Sequence, residues 1–597
     1  MKISRLSLVA VGLATVFFCQ KALAQTPDFW KNKVSPELRA KLQTGERTDF
    51  FIVMAEQADI SGAKNLVGKT TKAQYVFERL QAVASRSQAN VTQVLRQYGA
   101  FFNSLYLVNA IAVQGGDLAL AQTVAALPEV KRLALDPEVH FSGPVATADP
   151  ASEAQNRGAI EWGINMINAP AVWALGYTGQ GITVGGADTG YEWGHPAIKT
   201  QYRGYHAPTD TSDHNYNWHD AIHEASPLNG DNNNPCGFDS KQPCDDNNHG
   251  THTMGTMTGD DGQGNQIGVA PGAKWVGCRN MERGWGKPSS YIECIEWFLA
   301  PTDLNGQNPD VSRAPHVINN SWYCSEEEGC VDTTVNNLIR TAIVNLRASG
   351  VVVVVSNGNF AQGGQCFTTR WAPAYFEESF SVGATDEADE ITGFSSRGPI
   401  DIDGSNRIKP NVSAPGANVR SCVRGGDYAN FWGTSMAGPH VAGLVALVLS
   451  AAPQLAGNVD VIEDIIESTA VEKFDPTACG GAAAVPNNAY GRGRINALAA
   501  VQMATSLNAP DVPGKPSASA QAFPNPAGER AIFDLKNFSG KAQLRIFDAA
   551  GRQVFGQNFA AQPRQLLEIP TQQLPEGVYF WQIRDEAQTV AGRLVRN

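Results

Sequence analysis

The spacing of hydrophobic positions changes three times along the chain. In residues 25–150, apolar runs at 50–54 and 105–114 predict two strands, and residues 73–97 show the spacing of a helix with one polar face. This part therefore predicts a small α+β unit. From 155 to 507, short β-branched runs alternate with helical stretches, a pattern typical of an α/β domain with a doubly wound parallel sheet.

The central region contains five strand-like runs. The run of five valines at 351–355 has no polar face, so we expect it in the middle of a parallel sheet that helices cover on both sides. The five runs are residues 182–187, 274–278, 316–319, 351–355 and 380–384.

Residues 522–597 read as short alternating strands separated by Gly and Pro turns, which predicts a C-terminal all-β sandwich. The segment 508–521 is rich in Pro, Ser and Ala and is typical of a linker. A second polar, small-residue stretch at about 142–160 predicts another boundary. The expected strands of the sandwich are residues 531–535, 543–547, 565–569, 578–583 and 591–595.

The first 24 residues have the features of an export signal. Lys2 and Arg5 precede an apolar run at 6–18, and small residues at Ala22 and Ala24 follow it. A membrane span needs about 20 apolar residues, which this run does not reach. We therefore expect residues 1–24 to be cleaved and the protein to be secreted, with an extracellular or cell-surface location and no membrane span.

Charge and cysteine content narrow the picture further. The net charge of -12 lacks the basic surface that a nucleic-acid partner requires. Ten cysteines become nine after signal removal, and an exported protein can close near pairs such as Cys236 with Cys244 and Cys324 with Cys330. An odd number leaves at least one thiol unpaired.

Three segments place different partners of an acyl-transfer reaction at strand ends and helix starts. Ser435 follows Gly433 and begins a helical run, His249 can act as its base, and Asp188 ends a buried strand where it can orient the imidazole. Pro439 is expected in the first turn of the helix after Ser435, where its missing N–H breaks no bond. The chain order Asp, His, Ser matches that of subtilisin.

Four segments, ITVGGADTG, HGTHTMGTM, VVVVVSNGN and GTSMAGPHVAGLVA, resemble the signature segments of the subtilisin-like (S8) peptidases. The resemblance implies Asp188, His249 and Ser435 as the catalytic triad. It also implies Asn359 as the donor to the oxyanion, and no cofactor for catalysis. The stretch at 167–198 is similar to the bacillopeptidase F branch of the family.

Some features near these motifs have two interpretations. The Asp- and Asn-rich insertion at 210–248 is either a structural Ca²⁺ site, as in many family members, or a solvated loop held by a disulfide.

Asp245 is expected to shape the substrate groove. Trp322 and Tyr323 stand where many relatives have small residues, which leaves substrate preference open. His252 and His440 are expected to be packed structural residues.

The two terminal units also carry family expectations. Residues 25–150 resemble an inhibitory prodomain, which would be an intramolecular partner; a plain accessory domain is the alternative. The C-terminal segments FPNPAGERAIFDL, AQLRIFDAAGRQVF and LPEGVYFWQIRDEAQTVAGRLVRN resemble the type IX secretion sorting domain, whose partner is the secretion machinery. A carbohydrate-binding or adhesive sandwich is the alternative for this tail.

The sequence therefore predicts a secreted, monomeric serine endopeptidase that cleaves proteins or peptides through an acyl-enzyme on Ser435. One alternative is an inactive scaffold that serves as a surface binding protein, which normally requires the loss of a triad residue. The other is an esterase that uses the same nucleophile.

Overall fold

The structure is a computed structural model. The described residues are 29–140, 160–230, 233–326, 330, 332–481, 483–506, 518–523, 527–548, 552–562, 564–585 and 588–596. The expected signal peptide at 1–24 lies outside them, as do residues 141–159 and 507–517 in and beside the two expected linkers. The chain divides into two compact units, residues 1–507 and 508–597.

The N-terminal part of the first unit is a four-stranded antiparallel sheet, in the order β2-β3-β1-β4, with helices packed on it. Its strands are β1 Thr48–Met54, β2 Phe101–Leu105, β3 Ala110–Gly116 and β4 Val130–Leu135, and the short strand β5 Val139–His140 follows outside this sheet. Its helices are α1 Pro36–Gln43, α2 Lys69–Ser87, α3 Ala89–Tyr98 and α4 Leu118–Ala125.

The strand expected at 105–114 is wrong in its extent, because this segment turns back on itself. β2 ends at Leu105 and β3 starts at Ala110, with Asn109 at a φ of 43° in the turn between them. The turn residues Leu107 and Val108 are apolar and buried because they pack with helices of the next domain. A turn with apolar residues carries no turn signal in the sequence, so the pattern predicted a continuous strand.

The central domain is built on a seven-stranded parallel sheet in the order β16-β15-β14-β13-β6-β10-β9. Its longer strands and the short strands around them are β6 Thr183–Asp188, β7 Tyr205–His206, β8 Thr211–Ser212, β9 Trp218–Asp220, β10 Lys274–Arg279, β11 Met281–Glu282, β12 Trp285–Gly286, β13 Val317–Asn320, β14 Val352–Ser356, β15 Phe380–Thr385, β16 Val412–Pro415, β17 Val419–Val423 and β18 Asp427–Phe431. Its helices are α5 Trp162–Met166, α6 Ala169–Ala174, α7 Pro196–Lys199, α8 His249–Thr258, α9 Pro288–Leu299, α10 Thr333–Ala348, α11 Thr434–Ala451, α12 Val459–Ser468 and α13 Ala497–Ser506. Short 3-10 turns occur at Phe29–Asn32, Ser61–Asn65, Ala207–Thr209, Pro227–Asn229, Val311–Arg313, Arg424–Gly426, Pro453–Leu455 and Cys479–Gly481.

The valine run explains why this sheet is covered on both faces. Side chains alternate between the faces of a strand, so Val352 and Val354 pack into the apolar core that includes α11. Val353 and Val355 pack into a second core that includes α9 and α10. This confirms the doubly wound α/β fold, with the valine strand inside the sheet.

The second unit is an antiparallel sandwich, which confirms the all-β expectation. Its two sheets have the orders β19-β20-β23 and β22-β21-β24-β25 around a core that includes Phe533 and Trp581, whose rings meet edge to face at 5.2 Å. The edge strand β22 has no fully buried residue, although Phe555 and Phe559 pack partly against the core, and it was not among the expected strands. The strands are β19 Ser519–Phe523, β20 Arg530–Lys536, β21 Gly540–Phe547, β22 Gln553–Ala561, β23 Arg564–Pro570, β24 Gly577–Arg584 and β25 Thr589–Arg596.

One helix in the described part of the chain, α11, is long and apolar enough to cross a membrane by length and composition. It lies in the middle of the central domain, and nearly all of its residues are buried there. Its apolar character follows from that packing.

Candidate active site

The residues expected to carry chemistry gather at the carboxyl edge of the parallel sheet. Asp188 is the last residue of β6, Ser321 follows β13 directly, and Asn359 lies three residues beyond the end of β14. In open α/β sheets, this edge is where loops from neighbouring strands converge on a ligand. Ser435 reaches the same region from the first turn of α11, through its contacts with Ser321.

Asp188 and His249 form a direct, buried hydrogen bond. The Asp188 Oδ1 atom lies 2.7 Å from His249 Nδ1, and both side chains are essentially inaccessible to solvent. The carboxylate also accepts from the Thr189 N–H at 2.7 Å and from the Thr253 hydroxyl at 3.3 Å. These bonds fix the carboxylate against one ring nitrogen, which leaves Nε2 as the other edge of the imidazole.

Asp245 holds the start of α8, the helix that begins with His249. Its Oδ1 accepts from the Asn248 N–H at 3.1 Å and from the Thr189 hydroxyl at 2.9 Å, and its Oδ2 accepts from the Thr251 N–H at 3.1 Å. A carboxylate that accepts from the first backbone N–H groups of a helix is an N-terminal cap. Asp245 is therefore tied into the frame around His249, and these contacts do not fit the expected role in shaping the groove.

Ser435 is the second residue of α11, and it contacts Ser321, the residue that follows β13. The Ser435 Oγ lies 3.4 Å from the Ser321 carbonyl, and the Ser321 hydroxyl donates to the Ser435 carbonyl at 3.0 Å. Pro439 lies four residues after Ser435 and beyond the first turn, which corrects its expected place. Because proline has no N–H to give to that carbonyl, the Ser321 hydroxyl supplies the missing donor.

Asn359 is clamped by Thr434, the neighbour of Ser435. The Asn359 Oδ1 accepts from the Thr434 N–H at 2.8 Å and from the Thr434 hydroxyl at 3.0 Å. The same hydroxyl accepts from the Gly358 N–H at 3.1 Å. Because the amide oxygen of Asn359 points toward Thr434, the Nδ2 donor of the same planar carboxamide points away from Thr434. Sequence reasoning missed Thr434, although its place beside Ser435 in the quoted motif was an available signal.

The two helices of this site are in contact, because α8 packs against α11. The structure pairs Asp188 with His249 through a direct hydrogen bond, and it links Asn359 to Thr434, the residue before Ser435.

The two other histidines of these motifs, His252 and His440, bond to backbone carbonyls. His252 Nε2 lies 3.0 Å from the Val419 carbonyl, and burial lowers its pKa to about 3. His440 Nδ1 lies 2.8 Å from the Met436 carbonyl, and burial lowers its pKa to about 4.

The two large residues after Ser321 differ in position. Trp322 is 1% exposed and its ring stacks on Tyr291 at 4.0 Å, so it belongs to the core behind the site. The Tyr323 ring meets Phe360 edge to face at 4.8 Å, beside Asn359. Of the two, Tyr323 is therefore the one whose ring contacts the residue next to Asn359.

Two carboxylates of the acidic insertion pair with a buried arginine of the same domain. The Arg279 side chain, which is fully buried, binds Asp246 at 2.6 Å and Asp220 at 3.1 Å, and donates to Asn234 Oδ1 at 3.2 Å. A guanidinium thus occupies the position among these oxygens that a cation would take. In the described part of the chain, no group of three or more His, Cys, Asp or Glu side chains is arranged to hold a metal. These residues do not fit the Ca²⁺ site, and no step of the chemistry uses one.

The disulfides include both pairs named from the sequence. Cys236 bonds to Cys244 and Cys324 to Cys330. Two further disulfides, Cys278–Cys294 and Cys366–Cys479, join residues too far apart for spacing to reveal. Cys422 is buried and is the one free cysteine among the described residues, which accounts for the odd number.

Comparison with known proteins places these features in a family. Residues 179–493 match the model of the subtilase family, and residues 521–597 match that of a secretion system C-terminal sorting domain. The chain is 36% identical over 509 residues to Bacillopeptidase F of Bacillus subtilis (strain 168), a match that covers 81% of this chain and 33% of that protein. It is 28% identical to Subtilisin E of the same strain, over 72% of this chain and 91% of the relative. It is 30% identical to Subtilisin of Bacillus pumilus, over 58% of this chain and 99% of the relative.

The sorting domain confirms the expected export to the extracellular space or the cell surface. The matched subtilase model covers the sheet and the loops that carry Asp188, His249, Asn359 and Ser435. The chain therefore belongs to the subtilase family of serine endopeptidases, as the resemblance of its four segments implied.

Proposed function

We propose that this secreted enzyme hydrolyses peptide bonds in proteins through an acyl-enzyme on Ser435, with Asp188 and His249 as its proton relay. The observation that carries the proposal is the buried 2.7 Å contact between Asp188 and His249 Nδ1. A carboxylate there holds the imidazole in the tautomer whose Nε2 can accept a proton, and it stabilises the imidazolium that forms.

In the first half of the reaction, Ser435 Oγ attacks the carbonyl carbon of the peptide bond and its proton passes to His249 Nε2. The carbonyl oxygen becomes an oxyanion. Asn359 Nδ2 is the side-chain donor to that oxyanion, since Thr434 holds the amide oxygen away from it. The C–N bond then breaks as His249 gives its proton to the leaving amine, and the acyl group stays on Ser435 as an ester.

In the second half, water attacks the ester carbon. His249 takes a proton from that water, and the same donor stabilises the second oxyanion. Collapse of this intermediate breaks the bond to Ser435 Oγ, which recovers its proton from His249. The carboxylic acid product then leaves. Because the imidazole has to be neutral to accept a proton, activity is expected at neutral to alkaline pH.

We also propose that residues 25–150 act as an intramolecular inhibitor until they are removed. β5 pairs antiparallel with β12 at the His140–Trp285 and Val139–Gly286 positions. The domain is also anchored on α9, where the Glu296 carboxylate accepts from the Leu107 N–H at 2.7 Å. A segment that adds a strand to an enzyme's edge strand competes with any substrate that binds there by the same backbone bonds.

For the C-terminal domain, we propose delivery through the type IX secretion machinery, as its sequence resemblance implied. The matched sorting-domain model supports this role. Deletion of residues 522–597 tests whether export needs this domain, and the shortened enzyme should then be absent from the medium and from the cell surface.

The mechanism is tested with Ser435→Ala in the full chain. We expect this variant neither to digest casein nor to react with a fluorophosphonate probe, and to keep residues 25–150 attached because self-cleavage stops. Ser506→Ala is the matched control, because this exposed serine at the end of α13 donates to the Met503 carbonyl of its own turn. Equal digestion by both variants would refute the role of Ser435. Hydrolysis of an ester, but of no protein, by the wild type would favour the esterase alternative.

A further inference from the structure

The two-residue strand β12 is the place where a neighbouring chain segment adds to the edge of the active domain. β11 and β12 form a hairpin whose turn residues, Arg283 and Gly284, have φ values of 51° and 90°. Such values suit the tight turns that match the twist of paired strands. The Arg283 N–H donates to Asp246 Oδ1 at 2.8 Å, which ties the hairpin to the buried arginine cluster. β12 is therefore a fixed platform.

One side of the added strand faces a closed apolar space. Val139 pairs with Gly286, and its side chain is fully buried within the same core as Tyr291 and Ile292. Gly286 is required there, since a Cβ on it would lie 2.6 Å from the Tyr291 ring. A residue that replaces Val139 on this platform thus meets a site that fits a branched aliphatic side chain.

The opposite side of the added strand meets a ring. His140 pairs with Trp285, and residues directly opposite each other in an antiparallel pair project from the same face. Their ring centroids lie 4.2 Å apart with an angle of 41° between the planes. His140 is otherwise exposed, so the contact with the indole is the ring contact that this platform gives its side chain.

We infer that Trp285 is a specificity-determining residue, and that it selects substrates with an aromatic or imidazole ring at the position that pairs with it. This inference rests on the proposed function, because it takes β5 as the mimic of a bound substrate. The preferred substrate carries a branched aliphatic residue followed directly by a ring-bearing residue, in the order of Val139 and His140, on the acyl side of the cleaved bond.

The chemistry favours a ring over an aliphatic chain of similar area. Aromatic pairs gain about 0.5–1.5 kcal/mol beyond the burial of their surface, which corresponds to roughly a 2- to 12-fold preference. Because Trp285 is half-buried on a fixed hairpin, its ring is already oriented and little side-chain freedom is lost on binding.

The test uses the matured enzyme and a peptide library read by mass spectrometry. Each of the second to fifth positions on the acyl side carries His, Phe, Tyr, Leu, Lys or Ala in turn, with Val or Ala at the position before it. For the wild type, we expect ring residues to exceed Leu by about 3- to 10-fold in kcat/KM at one position, directly after the position that prefers Val. Trp285→Leu should bring the ring-to-Leu ratio close to one, and Trp285→Phe should keep it.

Two results overturn the inference: wild-type enzyme that cleaves Leu peptides as well as ring-bearing peptides, or an unchanged ring-to-Leu ratio in Trp285→Leu. The ratio is measured within each variant, so a general loss of activity does not affect it. Failure of the proposed mechanism is seen separately, as wild-type enzyme that cleaves no library peptide or as a Ser435→Ala variant that retains cleavage.

A second measurement uses the N-terminal domain in place of a library peptide. His140→Phe and His140→Leu are compared in the full chain for the rate at which the N-terminal domain, once it has been cleaved, dissociates from the enzyme. The Phe variant should hold the domain at least as long as the wild type, and the Leu variant should lose it several-fold faster. Faster loss from the Phe variant than from the Leu variant contradicts ring recognition by Trp285.

Discussion

Removing the Thr434 hydroxyl tests how Asn359 is held in the orientation that we propose for the oxyanion donor. Thr434→Val keeps the shape of the side chain and the backbone N–H bond to Asn359 Oδ1, but it removes the 3.0 Å hydroxyl bond. One net hydrogen bond contributes about 1 kcal/mol, so the oriented state of the amide should weaken by that amount. We expect kcat to fall by about 3- to 10-fold, because tenfold corresponds to 1.36 kcal/mol.

The upper bound on this effect is the complete loss of the donor. Removal of one such donor in a subtilisin costs on the order of 10² to 10³ in kcat, and Asn359→Ala should fall in that range. KM should change little in either variant, because the oxyanion exists only in the transition state. Thr434→Val should also lower the melting temperature, since the Gly358 N–H loses its acceptor in a buried place.

Steady-state kinetics on one peptide substrate give the decisive comparison. Thr434→Ser retains the hydroxyl and should keep kcat within about twofold of the wild type. In an Asn359→Ala background, Thr434→Val should have no further effect on kcat, because the group that it orients is gone. The reasoning fails if Thr434→Val lowers kcat by the same factor in both backgrounds, or if it raises KM and leaves kcat unchanged.

Two buried charge arrangements give further predictions. Burial raises the pKa of Asp136 to about 7, against the opposing effect of Lys287, so its stabilisation of the fold is complete below about pH 4 and is lost as the pH rises through 7. We therefore compare the Ser435→Ala chain with a second chain that carries both Ser435→Ala and Asp136→Asn. Between pH 5 and pH 8, the first chain should lose about 2–3 kcal/mol of unfolding free energy relative to the second, as measured by urea denaturation. Parallel pH profiles of the two chains would contradict this. Arg279→Met should destabilise the protein by about 3–5 kcal/mol, because it leaves Asp246 with an unpaired buried charge, and Asp246→Asn in that background should recover part of the loss in a thermal melt. Full stability of Arg279→Met alone would show that the arginine is dispensable.

Much of the fold could be predicted because its signals are local. The valine run predicted an interior strand, since a strand with no polar face has to be covered on both sides, and β14 divides its valines between two cores. The prediction of one strand at 105–114 was wrong because contacts with residues far away in the sequence decide the structure of this segment. Its turn is apolar because Leu107 packs against a different domain, and its N–H bonds to Glu296, which is 189 residues away.

At the site, the sequence by itself determined which residues carry the chemistry to be tested. The identities and order of Asp188, His249 and Ser435, and of Asn359 beside them, are properties of short motifs. Each motif also fixed its place at the end of a strand or the start of a helix, because these boundaries follow from local hydrophobic spacing.

Only the tertiary structure decided what holds those residues in place. The Ser321 hydroxyl completes the carbonyl that Pro439 cannot satisfy, Thr434 clamps Asn359 from 75 residues away, and Trp285 faces His140 across a strand pair. Hydrogen bonds and ring contacts of this kind depend on distances in space, and no spacing along the chain encodes them. The order of residues along the chain thus identified the proposed reacting groups, and the packing of the sheet and its helices set their orientation and their partners.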